Sequence, residues 1–121
     1  MEETFHQLDE MMQTDEGKEE LATLHTSGEN VSFAGCTATM VLITRTEVYC
    51  ANAGDSRTVL AHRGHAKDLS VDHKPEDEVE LARIENSGNY VSSGRINGKL
   101  ALSRSLGDFE YKNNGDITWK D

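Results

Sequence analysis

The sequence has 121 residues, room for one small domain, and a formal net charge of −10. So acidic a chain is repelled by phosphate backbones, which argues against a nucleic-acid partner. No apolar run approaches the ~18–20 residues that span a bilayer, and the N-terminus lacks the basic and apolar regions of a secretory signal, so no membrane partner is expected.

Residues 1–24 are predicted to be helical. Phe5, Leu8, Met11 and Met12 fall at helical spacing, and the acidic residues beside them read as a solvated face. His25 to Asn30 is rich in Thr, Ser, Gly and Asn and reads as a loop. Residues 34–72 then read as a β-meander. Thr37 to Thr44 is rich in β-branched residues and reads as a buried strand. Arg45-Thr46 is a tight connection, and Glu47 to Ala53 forms the next strand. Gly54-Asp55-Ser56 turns the chain, Arg57 to His62 returns, and a short strand follows near Ala66 to Leu69.

Residues 76–112 are predicted as a helix followed by an irregular, flap-like stretch. Pro75 can open a helix, and Val79, Leu81, Ala82 and Ile84 place it over residues 76–86. Gly88 sits where a left-handed cap is common. Short extended pieces are expected at Tyr90–Ser92 and Gly94–Ile96. Leu100 to Gly107 is ambiguous, and the polar tail begins at Lys112. The pattern is α+β, an antiparallel sheet covered by helices. The apolar fraction of 36% leaves a lean core, so a chain this short calls for a partner surface or a larger domain around it.

Several residues could carry chemistry. Asp55, at a turn between strands, is rigidly held yet exposed, which suits a hard-cation ligand or a general base; Gly-Asp is also ordinary turn chemistry. In Asp72-His73-Lys74-Pro75 the histidine could titrate near neutrality, but the simpler reading makes Asp72 a helix N-cap beside a solvated His and Lys. Arg57, Arg95 and Arg104 are candidates for phosphate, because a guanidinium donates two parallel hydrogen bonds. The alternative for each is a carboxylate pair, favoured for at least two of them. Cys36 and Cys50 show no paired spacing and read as buried free thiols. His62 and His65 form an H-x-x-H, but nothing resembles the ligand pairs of a structural zinc site. No nucleophile elbow, P-loop or dinucleotide fingerprint is present.

The order of the features is more specific than any one of them. Ala34-Gly35-Cys36-Thr37-Ala38 is followed by AGDSR at 53–57, DHKP at 72–75, ELARI at 80–84, RING at 95–98, LALSRSLGD at 100–108 and Tyr111-Lys112. This series resembles the central stretch of metal-dependent serine/threonine protein phosphatases of type 2C. The resemblance implies an antiparallel β-sandwich flanked by helices, and hydrolysis of phosphoserine and phosphothreonine in protein substrates with magnesium or manganese. It implies that Asp55 is a ligand of an additional, weaker metal site, and that residues 83–112 form a flap beside the active site. Arg104 and Asp108 match motif positions there, with structural or supporting roles. No catalytic residue is carried over to this chain.

The departures matter as much. Gly88-Asn89 stands where the family often has Gly-Gly, and Cys36 replaces a small residue. The family's main two-metal site uses an Asp-Gly-His segment and an acidic pair upstream, and an Asp-Gly segment and a final Asp downstream; this chain has neither Asp-Gly-His nor Asp-Gly. The expectation is therefore a partial domain, with little or no activity alone, from a cytoplasmic or nuclear enzyme that is monomeric at full length. The alternative is a non-catalytic phosphatase-like module that binds phosphoproteins.

Overall fold

The computed structural model describes residues 1–24 and 34–112. The expected loop at His25–Asn30 and the tail beyond Lys112 lie outside the described residues. The chain divides into two units: Met1–Cys36 with Leu106–Asp121, and Thr37–Ser105. It is α+β with antiparallel strand pairs throughout, as expected.

In the first unit the single helix expected over residues 1–24 is two, α1 (Glu2–Gln13) and α2 (Asp15–Leu24). Thr14 makes the break. Its backbone is extended, and its hydroxyl donates to the Met11 carbonyl at 2.8 Å while accepting the Gly17 N–H at 3.0 Å. Thr14 thus ends one helix and caps the next, with Asp15 and Glu16 at the favourable end of the α2 dipole. A Cβ at Gly17 would collide with the Met11 carbonyl, so glycine permits the tight corner.

The apolar stripe expected to anchor the helix does so only in part. Phe5 and Met12 are half-buried, Leu8 and Met11 are exposed, and the buried residue of α1 is Asp9. Its carboxylate accepts the Gly107 N–H at 2.8 Å and the Lys112 ammonium at 2.5 Å. Strand β1 (Gly35–Cys36) pairs with β8 (Leu106–Gly107), which resolves the ambiguous Leu100–Gly107 stretch. Gly35 lies against the Asp108 carboxylate, and Asp108 itself turns the chain with φ 51° into a short 3-10 helix, Phe109–Tyr111.

The second unit opens with a hairpin of β2 (Ala38–Ile43) and β3 (Val48–Ala53) in unbroken register from Ala38↔Ala53 to Ile43↔Val48. The Thr44 hydroxyl closes the expected tight turn by accepting the Glu47 N–H at 3.0 Å. A second hairpin pairs β4 (Val59–His62) with β5 (His65–Asp68). The continuous meander expected over 34–72 is not formed, because β3 and β4 do not pair. The intervening Gly54–Arg57 is bound to other segments instead.

Two expectations of burial fail. Strand β2 is exposed on both faces, with Ile43 73% and Leu42 51% accessible. Cys36 is exposed and Cys50 half-buried, although both are free thiols as expected. These apolar strands read correctly as strands, but no layer covers them among the described residues. Among the described residues the buried hydrophobic side chains are Ile84 and Ile96.

Helix α3 spans Glu78–Asn86 and starts later than expected. Pro75 is fully buried and occupies a turn closed by the Asp77 N–H on the Lys74 carbonyl at 3.1 Å, a position its fixed φ suits. Asp77, not Asp72, precedes the helix. At the far end the Asn89 N–H reaches the Ile84 carbonyl and the Gly88 N–H that of Glu85, a left-handed glycine cap with Gly88 at φ 83°. Asn89 needs no positive φ, so a second glycine there is unnecessary. The hairpin β6 (Val91–Ser92) and β7 (Arg95–Ile96) follows.

Candidate functional site

Three of the sequence motifs of the second unit meet at one residue pair. The His73 N–H donates to the Gly54 carbonyl at 3.0 Å, and the Gly54 N–H donates back to His73 Nδ1 at 3.2 Å. His73 in turn accepts the Ser103 N–H on its carbonyl at 3.2 Å. The 53–57 turn, the 72–75 segment and the 102–105 stretch are therefore tied through one residue, His73, by its backbone and its imidazole together. Gly54 is buried at φ 104°, and a Cβ there would stand 2.9 Å from the Arg104 carbonyl. Only glycine fits that approach. The Asn52 amide donates to both the Gly54 and Val71 carbonyls at 3.0 Å, and Thr37 Oγ1 lies 2.7 Å from Ser56 Oγ.

His73 is not the solvated side chain expected. Burial and the nearby Arg104 charge hold its imidazole below the usual range. An accepting Nδ1 requires the neutral ring with its proton on Nε2.

Charged pairs surround this clamp. Lys74 Nζ lies 2.5 Å from Asp55 Oδ2. Arg57 is held by Asp72 at 2.9 Å and Asp68 at 3.1 Å, and that pairing depresses the Asp72 carboxyl; Asp72 is thus an arginine partner rather than the expected helix cap. Arg57 also borders a shallow cavity of about 350 Å³ with Leu69, Ser70 and Val71. Glu80, 4% exposed, receives Arg104 through Nε at 3.0 Å and Nη2 at 2.6 Å, and Arg83 at 3.2 Å. Burial pushes the Glu80 carboxyl up, but the Arg104 hydrogen bonds and the two arginine charges outweigh it and hold the carboxyl below its ordinary value.

Arg57 and Arg104 are thus in carboxylate pairs. Arg95 is exposed, donates to the Lys99 carbonyl at 2.7 Å, and has no carboxylate partner among the described residues. Asp108 belongs to the first unit, buried beside Gly35. Sequence reasoning did not find Lys74 as the partner of Asp55, Glu80 as that of Arg104, or the His73 clamp. They lie 19, 24 and 19 positions apart, and no local pattern encodes such pairings.

Asp55 does not make a metal centre with the residues around it. Among the described residues no three His, Cys, Asp or Glu converge as a cage. A magnesium or manganese centre takes about six oxygen ligands; one carboxylate already engaged by an ammonium group is a single donor.

The sequence matches the family model described as protein phosphatase 2C over residues 1–118. It is 49% identical over 117 residues to Probable protein phosphatase 2C 2 of Paramecium tetraurelia, covering 97% of this chain and 39% of that protein. It is 62% identical over 80 residues to Protein phosphatase 2C homolog 3 of Schizosaccharomyces pombe, covering 66% of this chain and 19% of that protein. The structure resembles the crystal structure of a phosphatase from a pathogenic strain of Toxoplasma gondii, with a TM-score of 0.53 and 29% identity over 74% of this chain and 39% of that one. The chain spans about two-fifths of the length of the first of these relatives. On its ordered motifs, its α+β fold and these likenesses, the chain belongs to the protein phosphatase 2C family.

Proposed function

We propose that the protein carrying this chain hydrolyses phosphoserine and phosphothreonine in protein substrates with the help of magnesium or manganese. Family membership carries the reading. Within it, Asp55 contributes one carboxylate donor to a metal, and the Gly54–His73 clamp orients that donor. Arg95, exposed and without a carboxylate partner among the described residues, is the candidate to receive a substrate phosphate. Arg57 and Arg104 hold the surrounding backbone, while Asp108 packs against Gly35 in the first unit. The same reading places the enzyme in the cytoplasm or nucleus as a monomer, and the two free thiols suit such a reducing compartment.

The 121-residue chain alone is expected to be inactive. Asp55 is its single candidate metal donor at this turn, and Lys74 neutralises it. The same observation supports a second reading, a module that binds phosphoproteins without hydrolysing them.

Manganese-dependent phosphate release from a phosphothreonine peptide separates these readings. No turnover is expected from the 121-residue chain, whereas a polypeptide of the relatives' full length that contains it should turn over. Turnover by the short chain that vanishes in Asp55→Ala would overturn the need for further segments. Tight peptide binding by the longer polypeptide, without turnover, would establish the binding module instead.

A further inference from the structure

The tip of the β4–β5 hairpin carries two imidazoles that the phosphatase reading leaves unused. His62 ends β4, His65 begins β5, and the two are direct partners in the ladder. Opposed residues of an antiparallel pair project from the same face, with Cβ atoms about 4.5–5.5 Å apart. Both residues between them have positive φ, 51° at Arg63 and 79° at Gly64. That is the two-residue turn whose twist matches the strands, so the backbone fixes the spacing of the pair. Both imidazoles are exposed, and neither has a hydrogen-bond or ion-pair partner among the described residues. Leu60 and Lys67 share their face, two positions along, while Val59 and Asp68 alternate to the other. Lys67 is the one opposing charge on that face, within a chain of net charge −10.

We propose that His62 and His65 form a two-imidazole chelate for a divalent transition ion of the zinc and nickel class. Imidazole nitrogen suits these ions, whereas magnesium and manganese favour oxygen, so the site differs in kind from Asp55. Two protein ligands leave the remaining coordination positions open to water or to a further donor. A closed structural zinc site would supply four. The bound ion ties the two strands together at their turn.

Calorimetric titration of the 121-residue chain with zinc chloride, and separately with magnesium chloride, tests the site. One zinc equivalent is expected to bind at least tenfold more weakly in His62→Ala and in His65→Ala, and magnesium affinity should not change. Both side chains are exposed, and far-UV circular dichroism checks that each variant keeps its strands. A double substitution, His65→Ala with Ala66→His, keeps the histidine count but moves one imidazole to the opposite face. It should bind as weakly as the single variants. Zinc affinity equal to wild type in any of the three variants, or no zinc binding by the wild type, would overturn the proposal. No phosphopeptide enters the measurement, so its failure leaves the phosphatase reading untouched.

Discussion

Arg104 Nη2 stands 2.6 Å from Glu80 Oε1, with Nε 3.0 Å from each oxygen of the same carboxylate. This forked pair joins α3 to the Ser103–Ser105 stretch across 24 positions of sequence. Removing Arg104 leaves the buried Glu80 carboxylate with Arg83 as its remaining charged partner. Arg104→Ala is therefore expected to lower unfolding stability by roughly 2–3 kcal/mol, below the ~3–5 of a fully buried pair because the arginine is partly exposed. Arg57→Ala, whose pairs are exposed, should cost much less. Urea denaturation of both variants checks the ordering, and equal losses would refute it.

The Asp55–Lys74 pair sets up a competition between an ammonium group and a metal ion for one carboxylate. Lys74→Ala should tighten manganese binding to the 121-residue chain, while stability changes by less than about 1 kcal/mol because the pair is largely exposed. Manganese titration followed by electron paramagnetic resonance reads the difference. Unchanged affinity in Lys74→Ala, or affinity retained in Asp55→Ala, would remove Asp55 from the metal.

His73 gives the second unit a dependence on acid. Its folded value lies below that of the free imidazole, so the unfolded chain binds more protons between the two. The stabilisation is complete above about pH 6.5 and is lost as pH falls toward the folded value. Glu80 acts with the same sign, but only below its ordinary carboxylate range. His73→Ala should cost about 1–3 kcal/mol by stranding the Gly54 N–H, and should flatten the pH dependence near 6. His73→Asn offers an acceptor in a similar place and should recover part of the loss. A melting temperature in His73→Ala that still falls through pH 6 would assign the effect elsewhere.

Strand positions were legible because β-branched runs and two-residue turns are local signals. The helix break at Thr14 was missed, although a threonine followed by two acids is a local cap signal. Burial was not legible. Thr37–Thr44 has the composition of a strand covered on both faces, and composition does not say which chain supplies the cover. The candidate site lay between these cases. The sequence pointed to Asp55 and three arginines, but their partners come from contacts that only folding creates.

Leu42 and Tyr49 lie on one face of the β2–β3 hairpin and Val41, Ile43 and Val48 on the other, all exposed. Such a hairpin should associate with itself. Leu42→Lys with Ile43→Thr is expected to shift sedimentation of the 121-residue chain toward monomer and to reduce binding of a hydrophobic dye. An unchanged profile would mean that another surface drives association.

The bonds from Asp9 to Gly107 and Lys112 also fix a timetable. They close over 98 and 103 positions, so α1 leaves the ribosome with its acceptor partnerless. At roughly 5–20 residues per second, its amide partner arrives about 5–20 s later. During that interval Thr37–Ser105 emerges in turn and can begin to form its own hairpins and clamp. The unit built from both ends of the chain is thus the last to close.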